Sequence, residues 1–336
     1  MSPSPVIPAS VRRVLRVSAP LVASVGCVFV LLACLRRDDV DPRRIEWKPV
    51  DSVNAALPES IRVHAFESDG PPLRAWYVRI RESDPDVRTH VVAADDDDQR
   101  ETCTEIAKRT NAAVVLNAGY FGADGAKTYH SGLLLENGRL DTAAFDYQTR
   151  EDPNSKEKLR YELTRGAIGF SADDHADIAY CQTKDKVVYE VPEPVNNELG
   201  RPATRVPREH WRVWDVVDAV QAGPVLVRDG VIDVTDDEEV FFGTTIPLVH
   251  PRSAAGITAD GDVILMVVEG RRPESRGVDL QELALLMHAI GCVEALNLDG
   301  GGSSALVVNG QRLNDLPVGQ QGERAVASAL VVDWQR

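Results

Sequence analysis

Four dipeptides limit what this chain can fold into: Asn137-Gly138, Asp229-Gly230, Asp260-Gly261 and Asn309-Gly310. Each has apolar runs close by. A two-residue hairpin turn needs positive φ at its centre, and Asn-Gly or Asp-Gly supplies it with little strain. Such a turn joins strands that are antiparallel neighbours. Its recurrence predicts a largely antiparallel sheet system. Ile61–Phe66, Ala75–Ile80, Ala113–Leu116, Ala255–Thr258, Val263–Val268 and Val326–Val332 read as strands. Residues 141–165 and 192–212 read as excursions, with Trp211 and Trp214 packing the second back onto the core. The clearest helix runs from Asp279 to Gly291, with Leu280, Leu283, Ala284, Met287 and Ile290 on one face. Asp279 and Glu282 have capping-box spacing, and Gly291 suits the stop. A second helix is expected from Gln99 to Arg109, capped by Asp98 at the end of an acidic run. The fold class expected is α+β: a twisted, largely antiparallel sheet system with a few packed helices, in a single domain.

The first residues read as an export segment. Arg12, Arg13 and Arg16 precede an uncharged stretch from Val17 to Leu35, and Arg36 and Arg37 follow it. That is the pattern of a signal peptide or single membrane anchor. The stretch contains Leu31-Leu32-Ala33-Cys34, similar to a lipoprotein cleavage box with Cys34 as the lipidated residue. The expected division is therefore 1–35 signal or anchor, 36–59 tether and 60–336 folded domain. The chain would be exported and held on the cell envelope, with the membrane as a partner through its N-terminus. The net charge of −15 argues against a nucleic-acid partner, which would demand a basic surface. Cys103, Cys181 and Cys292 are odd in number and lack CxxC spacing, which argues against zinc. They are either three small buried side chains or one disulfide plus a free thiol.

The candidate site is Asn297-Leu298-Asp299-Gly300-Gly301-Gly302-Ser303-Ser304, set between the apolar runs Ala295–Leu298 and Ala305–Val308. Three successive glycines lose much backbone entropy on folding. Such a run is kept where backbone must approach something closely. Here it brings together a carboxylate, amide N–H groups and hydroxyls. A tight ligand-free turn is the competing reading. Asn117-Ala118-Gly119-Tyr120-Phe121 follows a buried strand in the manner of a substrate loop. Arg252 precedes another strand, and Glu269-Gly270-Arg271 closes a third.

Asn117–Phe121, Gln221–Val227, His250–Thr258, Glu269–Arg272, Leu280–Gly310 and Gly322–Val332 together resemble, in order and spacing, the phosphodiester glycosidase family. The resemblance covers roughly residues 60–334. Its most specific block is Asn297–Ser304 with the preceding helix. The chain departs from the family where Glu269 stands for a frequent Asp, Ala118 for Gly, Tyr120 for Phe and Ala305 for Thr.

The resemblance implies an exported hydrolase that cleaves between a sugar C1 and a phosphodiester oxygen, in a glycan or cell-envelope polymer. On that basis Asp299 is the first catalytic carboxylate, Glu269 the second and Glu323 a reserve. Arg252, Arg271 and Arg324 are phosphate candidates. Gly300, Gly301, Gly302 and Ser303 are donors to phosphate or sugar oxygens, and Asn117, Gly119 and Asn297 line the sugar. No cofactor is expected; a divalent ion shared by Asp299 and Glu269 is the metal alternative. The competing functional reading is a non-catalytic surface protein that binds sugar phosphates or polysaccharide. Loss of the second carboxylate would mark it.

Overall fold

The computed structural model describes residues 41, 45–124, 127–203 and 207–335. The N-terminal apolar stretch and Cys34 lie outside the described residues. Among the described residues every strand pairing is antiparallel. Three of the four hairpin signals act as expected; Asp260-Gly261 lies in a longer loop joining Arg252–Thr258 to Val263–Val268, with only its glycine at positive φ. Asn137, Asp229 and Asn309 have φ of 49°, 51° and 48°, and the glycine after each is also positive. That is the backbone of the tight turn whose twist matches its flanking strands. The turns close Leu134–Glu136 onto Arg139–Thr142, Val225–Arg228 onto Val231–Ile232, and Leu306–Val308 onto Gln311–Arg312.

Three sheets carry the structure. The eight-stranded sheet has Ile61–Asp69, Pro72–Ile80, Val263–Val268, Arg252–Thr258, Cys292–Asn297 and Val225–Arg228 side by side, with two-residue strands at its edges. A seven-stranded sheet is centred on Ala176–Lys184, Arg165–Phe170 and Asp218–Gln221. A five-stranded sheet places Val114–Asn117 between Leu306–Val308 and Ser328–Trp334. One apolar core joins them, drawing Val63, Val78 and Leu265 from the first sheet, Ile168 and Val220 from the second, and Leu116 and Leu330 from the third. Each fully buried branched side chain of this kind contributes ~1.5–3 kcal/mol. The sheets are therefore held against one another by a shared interior.

Few helices are present among the described residues. Leu280–Ala289 has the expected box, with Asp279 accepting from Glu282 N–H and Glu282 reaching back to Asp279. The other capped helix differs from expectation. It spans Cys103–Thr110 and is capped by Thr102, whose box partner is Glu105. Gln99 has a φ of 59°, so it cannot open a helix, and the acidic run before it forms a loop. The tether reading also needs correction from residue 45 onwards. Lys48–Pro49 pairs with the strand at Ile61, Leu57 is buried, and Val50 and Val53 pack on the main core. Hydrogen bonding and apolar contact, invisible in a proline-spotted polar stretch, fix this segment. Cys103, Cys181 and Cys292 are buried free thiols, so the disulfide alternative falls. Residues 147–162 form a separate two-stranded ribbon. Trp214 is buried and donates to Asp177, anchoring its excursion.

Candidate active site

One strand from each sheet ends at the same place: Val114–Asn117, Asp218–Gln221 and Cys292–Asn297. The chain beyond these ends is cross-linked by backbone bonds. Asp299 N–H donates to Ala118 O at 2.8 Å, Leu298 N–H to Ser253 O at 2.9 Å, and Gly223 N–H to Asn297 O at 3.0 Å. Asn117 is the central rivet. Its Nδ2 donates to Asp299 O at 2.6 Å, and its Oδ1 accepts from Ser253 Oγ at 2.6 Å and Ala305 N–H at 3.1 Å. This fully buried amide holds three segments and has both polar atoms committed to protein partners. Its assignment to a sugar hydroxyl is therefore replaced by a positioning role.

The glycine run wraps this junction. Gly301 N–H donates to Pro251 O at 2.9 Å, and Gly300 N–H to the Asp299 carboxylate. Two guanidinium groups press on the run. A Cβ at Gly301 would lie 3.3 Å from Arg271, and one at Gly302 would lie 2.8 Å from Arg324. Gly301 also has a φ of 64°, which strains any side chain. The glycines thus serve close approach of two cations to the backbone beside Asp299.

Asp299 is partly exposed and lines a cavity of ≈ 360 Å³ together with Arg100, Phe121, Arg324 and Ala325. Burial pushes its carboxyl from 3.8 up to about 6, against the Ser303 hydroxyl, Arg324 and the Gly300 N–H, which favour the charged form. A carboxylate poised near neutrality in a cavity rimmed by arginines fits a base or nucleophile working beside an anion.

Arg271 is set by a histidine. It donates to His250 Nδ1 at 3.0 Å, so the His250 proton sits on Nε2 and donates to Thr245 O at 2.8 Å. Burial lowers the His250 pKa, in keeping with this neutral tautomer. Arg252 has another job than the one expected. Its guanidinium donates to the carbonyls of Val278, Ile246 and Leu248, fixing the loop before it. Burial brings it down to about 10, still charged at neutral pH.

Three further assignments change. Glu269 is 2% exposed and lines a different cavity, which does not include Asp299. Its longer arm lies at the end of Val263–Val268 beside Arg74 and Asp315, so the two carboxylates line different cavities. Glu323 accepts from the N–H and hydroxyl of Thr104, in the first turn of Cys103–Thr110. A carboxylate there answers free helix N–H groups, which explains it without catalysis. Gly119 is buried against His130, where a Cβ would come within 2.2 Å of Nε2. It is required for packing, and its N–H goes to Ser328 Oγ.

Asn297 donates through Nδ2 to Tyr120 Oη and Gly223 O, while its buried Oδ1 has no protein partner. Tyr120 donates to the same Gly223 carbonyl at 2.9 Å, and burial raises its phenol. Behind them Glu239 accepts from Gly166, Val225 and Thr235 and is pushed up to about 7 by complete burial. In the sequence Tyr120 shows only as a departure from the family pattern, and Ser253 and Arg100 carry no functional signal of their own.

The sequence model of phosphodiester glycosidase matches residues 110–333, two-thirds of the chain, spanning the loop, its rivets and both clamping arginines. The chain belongs to the phosphodiester glycosidase family. Its relatives include the SPbeta prophage-derived uncharacterized protein YomE of Bacillus subtilis, 38% identical over 85 residues, 25% of this chain and 13% of that protein. The N-acetylglucosamine-1-phosphodiester alpha-N-acetylglucosaminidase of Homo sapiens is 31% identical over 97 residues, 28% of this chain and 19% of that protein. The matched stretches cover less than a fifth of either relative. A hypothetical protein from Synechocystis aligns over 87% of this chain and 68% of its own, with a TM-score of 0.56 and 18% identity. The zebrafish N-acetylglucosamine-1-phosphodiester alpha-N-acetylglucosaminidase catalytic domain, auto-inhibited by pro-peptide, aligns over 87% of this chain and 83% of its own, with a TM-score of 0.55 and 17% identity. Those two likenesses establish the fold. One departure from the phosphodiester glycosidase family pattern is used structurally: the Tyr120 hydroxyl joins Gly223 to Asn297.

Proposed function

We propose that the chain is an exported hydrolase that cleaves a sugar-1-phosphodiester between C1 and the phosphate oxygen, with Asp299 as its catalytic carboxylate. The observation that carries this reading is Asp299 itself, raised towards neutrality in a cavity bordered by Arg324 and Arg100, beside a loop against which Arg271 is also laid. The bond to be broken explains why one carboxylate suffices. Glycosidases with alcohol leaving groups need a second carboxyl to protonate the leaving oxygen. A phosphodiester anion is a far weaker base and departs without protonation if cations hold it. Arg324 and Arg271 take that role, as planar donors matched to phosphate. Asp299, ionised, attacks C1 or takes a proton from the water that does. The relatives named for N-acetylglucosamine-1-phosphodiester make that sugar the first to test.

A second reading rests on a specific finding: among the described residues no other carboxylate lines the Asp299 cavity. A surface protein that binds a sugar phosphate without cleaving it would need only the arginines. The residues 36–336 should be incubated with UDP-N-acetylglucosamine and other sugar-1-phosphodiesters. Release of free sugar, lost in Asp299→Asn, supports the hydrolase. Saturable binding without release selects the binding protein.

A further inference from the structure

The cavity at Glu269 has ≈ 620 Å³ and is the larger of the two described above. It opens at one end of the eight-stranded sheet. Trp76 pairs with Ala65 on one side and Val267 on the other, and directly paired residues project to one face. Arg74 and Glu269 lie two residues from members of that row, so they share the face. Lys48, Glu46 and Asp315 complete the wall.

Its polar groups are unevenly matched. Arg74 is paired with Glu67 at 2.6 Å, and Asp315 with Arg272 at 3.3 Å. Among the described residues Glu269 has no such partner. Its Oε1 accepts the Asp315 N–H, but Oε2 is buried and accepts from nothing, in a residue 98% buried. An unpaired buried carboxylate oxygen costs more than most single contacts contribute. A protein tolerates it where a ligand supplies the donor. With Glu67 and Asp315 answered by Arg74 and Arg272, Glu46 and Glu269 remain against Lys48, so the described lining keeps a net negative charge that attracts a cation. Trp76 offers an indole to the body that carries the charge.

We propose that this cavity is a second ligand site, taking a small molecule that bears an ammonium group on a body the size of a sugar ring, with Glu269 as its anchor. The ammonium donates to Glu269 Oε2 and the ring lies along Trp76. The site is separate from the Asp299 cavity and does not depend on what Asp299 does there.

Calorimetric titration of residues 36–336 with glucosamine, N-acetylglucosamine and putrescine tests it. Glucosamine should bind saturably, and N-acetylglucosamine, which lacks the charge, at least about tenfold more weakly. Putrescine, which lacks the ring, should bind more weakly than glucosamine, and binding as tight as glucosamine would overturn the part given to the ring along Trp76. Glu269→Gln retains the acceptor for Asp315 and should weaken glucosamine about tenfold or more. Asp299→Asn should leave it unchanged, which separates this result from any result on hydrolysis. Equal affinity for glucosamine and N-acetylglucosamine, no saturable binding of any amine, or a glucosamine isotherm moved by Asp299→Asn and not by Glu269→Gln would overturn the proposal. The comparison of the two sugars needs only the parent protein, so it stands even if the Glu269 variant does not fold.

Discussion

Asp299→Asn sets stability against activity, and the structure gives the size of both effects. The carboxyl titrates at about 6 in the folded chain against an ordinary 3.8. A folded-state pKa raised in this way means that ionisation is disfavoured by folding. The stability tied to the neutral form is complete below 3.8 and is lost as pH rises through about 6. The gap corresponds to about 3 kcal/mol above pH 7, about half of that at pH 5, and little at pH 4. Asn has no charge to bury, so the variant escapes this penalty. Its amide oxygen still accepts a hydrogen bond, so the pH dependence of the difference comes from ionisation in the parent. Chemical unfolding of parent and variant at pH 4, 5, 7 and 8 should therefore show the variant gaining on the parent by about 2 kcal/mol between the lowest and highest pH. Sugar release from a sugar-1-phosphodiester should fall about a thousandfold in the variant. In the parent it should rise with pH through about 6, because the ionised form is the working one. A stability difference that is flat from pH 4 to 8 would refute the buried-charge argument. Activity lost only in step with stability would reduce Asp299 to a loop former.

Arg271→Lys should lower kcat/KM on sugar phosphodiesters about 10- to 100-fold, since a lysine cannot both meet His250 and lie flat on Gly301; paired assays on a phosphate-free aryl glycoside should show no comparable loss. Asn117→Ala removes three buried hydrogen bonds and should cost about 2–4 kcal/mol in urea unfolding, and a loss under about 1 kcal/mol would contradict its role as the rivet. Gly119→Ala places a methyl 2.2 Å from His130 Nε2 and should destabilise by about 2 kcal/mol or more, with a matching fall in Tm.

The sequence determined the local structure. Asn-Gly and Asp-Gly turns, the Asp279–Glu282 capping box and the apolar runs are short-range signals, and the antiparallel sheets follow from them. The Asn297–Ser304 loop was legible because its cost, three glycines in a row, shows in the order of residues alone. What each polar side chain does was not legible. Glu269, Glu323, Arg252 and Arg271 all stand at strand ends or in loops and look equivalent in one dimension. Their duties depend on which donor or acceptor the fold brings within about 3 Å, and those partners lie far away in sequence. Glu323 meets Thr104, 219 residues distant, while Asn117 meets Asp299 across 182. The division of the acids between two cavities was set the same way. Glu269 and Asp299 both follow buried strands of one sheet, yet only Asp299 also leans on the five-stranded sheet through Ala118 and Asn117. Only tertiary structure could decide that, because a buried polar group takes its pKa and its role from the groups around it rather than from its neighbours in the chain.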